Sequence, residues 1–421
     1  MQRLADHFRH LQAADKPVAA ERPVGRPALQ QARFRGVPIW FHQTANGTAI
    51  TDDGRTRFDP DDAIACVQFE HYVPPEPEGK RLKALYYLFK PLLPRAAQLA
   101  LQRWNASQRL RAVQFPAWPQ DDSLTALLGA LLADSMREAG VDRVPCVGLW
   151  PRGKTWAWTL THDVDTGLGY ANVDALAEVE ERRGLHSCWY FVPERYPLER
   201  RQLDAVRERG HEIGVHGLQH TGKLFSSRAE FEARAPKINA YIRDWGVTGF
   251  RSPATYRNPY WLPELEVDHD SSYMDNATCE PQRGGVCAPF PFMLSERLVE
   301  LPISLPMDHT LINILRQDVV AGCTAKVDWV RGQRGLAVAL FHPDYNTTNP
   351  RRERYGALLD VLAADPTGWG VLPHEIAAWW QRRRRSHVEM RDGTPVIVGP
   401  AAGDATVWWA ERNGDRIRWA G

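Results

Sequence analysis

The hydrophobic pattern changes period part-way along the chain. From Thr155 onward, short apolar runs alternate with longer amphipathic stretches. TWAWTLTHD reads as a strand, Tyr170–Arg183 as a helix, HSCWYFV as a strand, 198–209 as a helix and HEIGVH as a strand. A helix over Ser227–Trp245, the strand TGFRS and a loop-rich stretch through 290 come next. LVELPIS, LAVALFH and GWGVL are further strands, separated by helices over 325–334 and 352–364, and a helix over 374–385 closes the series. About seven β/α units in roughly 230 residues is the period of a parallel barrel or a doubly wound sheet.

The flanks follow other patterns. Residues 1–35 are polar and Arg-rich with no convincing long element, and 36–75 read as short strands around turns, with Asp53-Gly54 as a hairpin signal. VPPEPEGK (73–80) is a linker. Residues 79–111 carry eight Lys/Arg and no acid, interleaved with Leu85, Leu88, Phe89, Leu92, Leu99 and Trp104. Pro91 and Pro94 split them into two basic amphipathic helices. Such helices either lie on anionic lipid or cover the body of their own protein. A helix over 122–141 precedes the β/α series, and turns at Asp392-Gly393 and Asn413-Gly414 give the chain end a small β-meander. The expected organisation is α/β: an N-terminal α+β extension over 1–150, a barrel over 151–385 and a β appendage over 386–421.

Composition narrows the function classes. The 421 residues are 43% hydrophobic and 24% charged with a net charge of +1, so no basic field argues for nucleic acid. The sixteen Trp fit either a sugar-handling surface or a core. MQRLADHFRHLQAADK lacks the apolar centre of a secretory signal, and no apolar run is long enough to span a bilayer. A soluble cytoplasmic protein is expected. The six Cys are scattered without metal-finger spacing, although Cys279 and Cys287 are close enough in sequence to bridge.

Active sites of parallel α/β folds lie beyond the C-terminal ends of the strands. Here those ends carry Thr161-His162-Asp163-Val164-Asp165, then His216-Gly217-Leu218-Gln219-His220, then Arg251-Ser252-Pro253, and later Phe341-His342-Pro343. His216 and His220 can aim two imidazoles at one point across a turn, and Asp165 completes a two-His, one-carboxylate set with positions open for water and substrate. Zn²⁺ suits this set; Co²⁺ or Ni²⁺ would also bind. Asp163, two residues before Asp165 on an extended strand, points to the same side and can take a proton. Arg251 can hold that carboxylate ionised, and His342 can donate a proton to a departing amine.

The series THDVD, HGLQH, RSP, a Leu-Pro strand and LFHP, in that order, resembles the motifs of the NodB-homology polysaccharide deacetylases, carbohydrate esterase family 4, over about residues 155–385. The resemblance implies a distorted (β/α)7 barrel, a divalent metal, usually zinc, and removal of N-acetyl or similar groups from amino sugars. By matching position it implies Asp163 as base, Asp165, His216 and His220 as metal ligands, Arg251 as orienter of the base and His342 as acid. Two features depart from it. Val164 separates two Asp that are usually adjacent, a form that resembles a subset including amidases of small molecules. Asp308 and His309 stand where the family usually has Asp and Trp; Asp308 would orient His342. His162, Tyr256 and Tyr260 are candidates for the substrate site or its supports. Thr51-Asp52-Asp53-Gly54 also looks like the first motif, but no H-x3-H follows on a succeeding strand, and it falls where a hairpin turn is expected.

The implied partner is an amino-sugar glycan or a lipid-linked glycan precursor, the latter matching a basic segment on anionic membrane at 79–111. Rival readings are another C–N hydrolase on the same barrel, such as a ureide amidase or a deformylase of a lipid-linked amino sugar, and a non-catalytic glycan-binding protein.

Overall fold

The computed structural model describes residues 28–43, 47–73, 94–113 and 115–421, so residues 79–93 of the basic segment lie outside the described residues. Strands β1 (Leu29–Phe34) and β2 (Val37–His42) pair antiparallel, as do β3 (Ala49–Ile50) and β4 (Arg57–Phe58) around the expected turn. Residues 60–68 differ from expectation: they form a helix, Pro60–Gln68. Its signals are local. The Asp59 side chain accepts from Asp61 N–H at 3.0 Å, Pro60 occupies the first turn where an N–H is not needed, and Asp61 and Asp62 complement the helix N-terminus. This helix, β1–β2 and the helix Ser123–Glu138 bury Phe34, Phe41, Phe58 and Leu127 against Cys287 and Ala288 of the barrel.

After β5 (Arg143–Val147) the barrel begins with β6 (Trp156–Val164), every residue of which is buried. A strand covered on both faces has no polar side, so its sequence shows no alternation. Then come β7 (Cys188–Phe191), β8 (Glu212–His216), β9 (Gly249–Arg251), β10 (His269–Asp270), β11 (Phe292–Met293), β12 (Val299–Glu300), β13 (Leu336–Phe341) and β14 (Gly368–Gly370). The sheet runs β11-β12-β10-β9-β8-β7-β6-β13, with β14 against the base of β6; only β11 is antiparallel. Beyond β12 the chain reaches β13: Leu305 N–H donates to Val338 O at 3.2 Å and Ser304 Oγ to Leu336 O at 2.7 Å. The sheet thus curls until its ends meet, the expected distorted (β/α) barrel.

The helices follow the expected order with shifted ends. Val319–Gly332 starts earlier than 325 because Asp318 caps it, accepting from Ala321 N–H at 3.0 Å. Arg228–Trp245 starts at the Ser227 cap and ends at Gly246, whose φ of 62° is the left-handed conformation a helix stop requires. Sequence periodicity missed β10 and β11, which are too short to show a period. At the chain end β15 (His387–Arg391) pairs with β16 (Thr394–Val398), and β17 (Val407–Asn413) with β18 (Arg416–Ala420). β17 also pairs with β5, which tethers the C-terminal meander to the segment before the barrel.

The described part of the basic segment is the helix Arg95–Ala112. Arg103 Nε donates to Asn313 O at 2.8 Å and Arg109 Nη1 to Glu280 O at 2.7 Å, so the helix lies across a π-helical turn, His309–Leu315, and the Glu280 loop. Its other side leaves Leu101 and Trp104 exposed. Among the described residues no helix is long and apolar enough to cross a membrane. All six cysteines are free thiols, Cys279 and Cys287 included.

Inside the barrel, Gly214 of β8 makes room for Tyr190 of β7. A Cβ on Gly214 would stand 2.4 Å from the Tyr190 ring and 3.1 Å from Gly249 O. Gly214→Ala is therefore expected to destabilise the fold by about 1–3 kcal/mol through overpacking, measured by denaturant unfolding. An unchanged unfolding midpoint would show that the barrel interior is not filled at this level.

Candidate active site

The strand ends named from the sequence converge on one side of the barrel. On β6, alternation points Thr161, Asp163 and Asp165 inward. Arg251 ends β9 and is fully buried. Its Nη1 donates to Asp163 Oδ1 at 3.0 Å and to Thr161 Oγ1 at 2.9 Å, its Nε to Ser271 O at 2.7 Å and its Nη2 to Ser271 Oγ at 2.8 Å. The guanidinium also lies 4.5 Å from the centroid of the Tyr190 ring. Asp163 therefore has one oxygen fixed by Arg251, and the other lies 3.4 Å from His216 Nε2.

His216 ends β8, and its Nδ1 donates to Arg251 O at 2.9 Å, which leaves the Nε2 lone pair facing inward. The chain turns at Gly217, with φ 62°, where a Cβ would meet Pro253 at 2.6 Å. His220 itself sits at φ 53°, a left-handed conformation that costs about 1 kcal/mol or more away from glycine. That turn brings His220 Nε2 to 3.0 Å and His216 Nε2 to 3.3 Å from the same oxygen, Asp165 Oδ1. The donor atoms of Asp165, His216 and His220 lie within 4.8 Å of one another.

Asp165 Oδ1 is buried and makes no well-directed hydrogen bond, although two imidazole nitrogens stand beside it. Three lone-pair donors aimed at one point, with the oxygen between them unsatisfied, fit a divalent cation of the zinc type. Burial alone would raise the Asp165 carboxyl; the His220 and His216 imidazoles outweigh it and hold it well below the ordinary carboxylate value. Burial likewise opposes charging His216, and Asp163 and then Asp165 overcome that and raise it.

His342 follows β13, the strand paired with β6. Its Nδ1 lies 2.7 Å from Asp308 Oδ1, and its backbone N–H donates to Asp308 Oδ2 at 2.8 Å. Asn346 Nδ2 donates to Asp308 Oδ2 at 2.9 Å and holds the carboxylate in place. Burial lowers the basicity of His342, but Asp308, Asp165 and Asp163 outweigh it and raise the ring to about 10. The imidazole is cationic at neutral pH.

Three further residues belong here that the sequence reading did not single out. Asp344 accepts from Asp165 N–H at 3.2 Å and from the Thr166 hydroxyl, so it fixes the end of β6. Its signal was its position two residues after His342 in FHPDYN. Asn346 lies two further on. Glu280 is buried in the loop-rich stretch, where no pattern marked it; burial pushes its carboxyl up to about 7, against a hydrogen bond from Thr310 Oγ1 at 2.7 Å and the charge of His342.

His162, Tyr256 and Tyr260 are placed differently from one another. His162 points away from Asp163 and Asp165, stacked on Trp189 with Nε2 2.5 Å from Glu180 Oε1 in the helix layer; alternation along β6 excludes it from the site. The Tyr256 ring lies beside Gly222, just past His220. The Tyr260 hydroxyl pairs with His71 Nε2 of the N-terminal extension at 2.9 Å. The motif-like Asp52 and Asp53 serve turns: Asp52 accepts from Arg35 and Gly36 N–H of the β1–β2 turn, and Asp53 from the Thr51 hydroxyl and Arg55 N–H of its own hairpin.

Neither a family model nor a curated protein sequence matches this chain. Solved structures do. A putative polysaccharide deacetylase from Mycobacterium smegmatis is 19% identical over 54% of this chain and 91% of its own, with a TM-score of 0.43. The Puue allantoinase is 12% identical over 56% of this chain and 93% of its own, with a TM-score of 0.45. A family 4 carbohydrate esterase from Streptomyces lividans, solved with acetate, is 12% identical over 52% of this chain and 92% of its own, with a TM-score of 0.34.

Because the folded pKa of His342 lies above the unfolded value of about 6.5, its pairing with Asp308 stabilises the fold fully below that pH and loses its contribution as pH rises toward 10. Asp308→Asn removes the main opposing charge. An NMR titration is expected to show the His342 ring deprotonating at clearly lower pH in this variant than in the parent; identical curves would show that Asp308 does not set its charge.

Proposed function

We propose that the protein is a metal-dependent amide hydrolase that removes an N-acyl group, N-acetyl foremost, from an amino sugar of a glycan or glycan precursor. The observation that carries the proposal is the convergence of Asp165, His216 and His220 on one point, with the Arg251-held Asp163 and the Asp308-paired His342 at the ends of the two adjoining strands β6 and β13.

Asp165, His216 and His220 would hold the ion. When bound, a divalent cation supplies Lewis acidity that polarises an amide carbonyl and makes water acidic enough to react at neutral pH. The protein's own groups do the rest. Asp163, with one oxygen held by Arg251, takes a proton from the attacking water as its oxygen bonds to the carbonyl carbon. His342, kept protonated by Asp308, delivers a proton to the nitrogen as the carbon–nitrogen bond breaks. The products are a carboxylic acid and a free amine. Asp344 keeps Asp165 aligned through the backbone.

Exposed Leu101 and Trp104 on the Arg95–Ala112 helix, which crosses loops at this end of the barrel, support a lipid-linked form of the substrate. Arg103 and Arg109 bond to the protein's own carbonyls, so that helix covers the body as well as facing outward.

The test is a product assay on the full chain, stripped with chelator and reloaded with Zn²⁺ or Co²⁺. N-acetylated amino-sugar oligomers, a lipid-linked amino sugar in anionic vesicles and small ureides are supplied in turn. The metal-loaded protein is expected to release acid and amine in equal amounts from an amino sugar, while the stripped protein and His216→Ala do not. Turnover of ureides alone would leave the hydrolase and remove the glycan. A metal-loaded protein that hydrolyses none of them would overturn the reading.

A further inference from the structure

A second donor set is buried at the opposite end of the barrel. Cys188 opens β7, Glu212 opens β8 and His269 opens β10. Along β8, Glu212, Gly214 and His216 share the inward face, so Glu212 and His216 point into the barrel at its two ends. Strand β9 lies between β8 and β10, and its residue opposite His269 is Gly249. A Cβ on Gly249 would stand 2.4 Å from His269 Nε2. With no side chain there, the imidazole reaches across β9 to within 3.3 Å of Glu212 Oε1. The donor atoms of Cys188, Glu212 and His269 lie within 4.8 Å of one another.

Three of the atoms that face one another here, both ring nitrogens of His269 and one Glu212 oxygen, Oε1, are left without a hydrogen bond. Cys188 and His269 are 0% exposed. A buried imidazole bare at both nitrogens is rare, because each unmade bond costs its full desolvation. The 3.3 Å separation of His269 Nε2 from Glu212 Oε1 exceeds the roughly 2.7–2.9 Å of a charge-assisted hydrogen bond. It matches the edge of roughly 3.3–3.4 Å between nitrogen and oxygen ligands around tetrahedral zinc. The other carboxylate oxygen is already engaged: His374 Nδ1 lies 3.0 Å from Glu212 Oε2 and His374 N–H donates to it at 3.1 Å, an outer contact that fixes the carboxylate. His374, Thr248, Asp268 and Gln381 line an open cleft, so solvent reaches this end of the barrel.

We propose that Cys188, Glu212 and His269 form a second metal site, structural in role, which binds a borderline-soft divalent ion such as Zn²⁺ at the floor of the barrel. Thiolate, imidazole and carboxylate together suit zinc or cobalt and exclude calcium or magnesium, which take oxygen donors. Loading replaces the thiol proton with the ion. The ion would pin β7, β8 and β10 together beneath the candidate active site. The proposal stands apart from the reading of Asp165, His216 and His220, because that set contains no sulfur.

Sulfur makes the test specific. The full chain, stripped with chelator and titrated with Co²⁺, is expected to develop a thiolate-to-cobalt charge-transfer band in the near ultraviolet. The band should persist in His216→Ala and be lost in Cys188→Ser and His269→Gln. Cys66→Ser is the control, since Cys66 forms another candidate set with His42 and Asp62. Loss of the band in Cys66→Ser, or its survival in Cys188→Ser, would overturn the proposal. If Cys188→Ser does not fold, His269→Gln and the parent decide: no band in the parent at saturating cobalt, or a band undiminished in His269→Gln, is equally fatal.

Discussion

One fully buried guanidinium organises the centre of this barrel. Arg251 carries a charge with no access to water, and removing the partner of a buried ion pair costs about 3–5 kcal/mol. The surroundings are accordingly built around it: Asp163 and Thr161 from β6, Ser271 after β10 and the face of Tyr190 from β7. The backbone carbonyl of the same residue receives His216 Nδ1 from β8. Three strands are thus placed by one side chain and a fourth by the same residue's backbone carbonyl. The two carboxylates of T-H-D-V-D become different in kind: Asp163 is committed to Arg251, whereas Asp165 faces two imidazoles with an oxygen left unsatisfied.

Room for these polar groups comes from glycine. Gly214 leaves space for Tyr190, and Gly249 for His269, so wide side chains stack inside a narrow barrel without overlap. Around them the interior is apolar, with Val299, Leu301, Val338 and Leu340 among its buried members. The low polarity of this lining strengthens each charged contact within it and makes each unpaired donor expensive. Within this lining, groups of metal-ligating type gather at two levels of the barrel, one at each end.

Sequence patterning read the barrel well because its strands are either continuous apolar runs or end in unusual polar residues. THDVD, HGLQH, RSP and FHP each sit where a strand meets a loop, and the fold brings Asp163, Asp165, His216, His220, Arg251 and His342 to one end. The pairing of Asp308 with His342 was visible only as an ordering of motifs. His162 looked like a neighbour of the site because adjacency in sequence conceals the alternation that sends it to the other face. What stayed illegible has short-range causes. Two-residue strands such as β10 show no period, and Glu280 and His269 lie in or beside loops where no spacing rule applies. The helix Pro60–Gln68 had its Asp-Pro-Asp-Asp signature in plain view, but a run of turn residues before it suggested strands.

The division of labour between the two carboxylates is the claim on which the rest depends, and paired isosteric variants test it directly. Metal content and turnover are measured for Asp163→Asn and Asp165→Asn in parallel. The account predicts that Asp163→Asn keeps its metal while turnover falls by about 10² or more, and that Asp165→Asn loses metal and activity together. The opposite pattern, an emptied site in Asp163→Asn and a loaded, active Asp165→Asn, would contradict it.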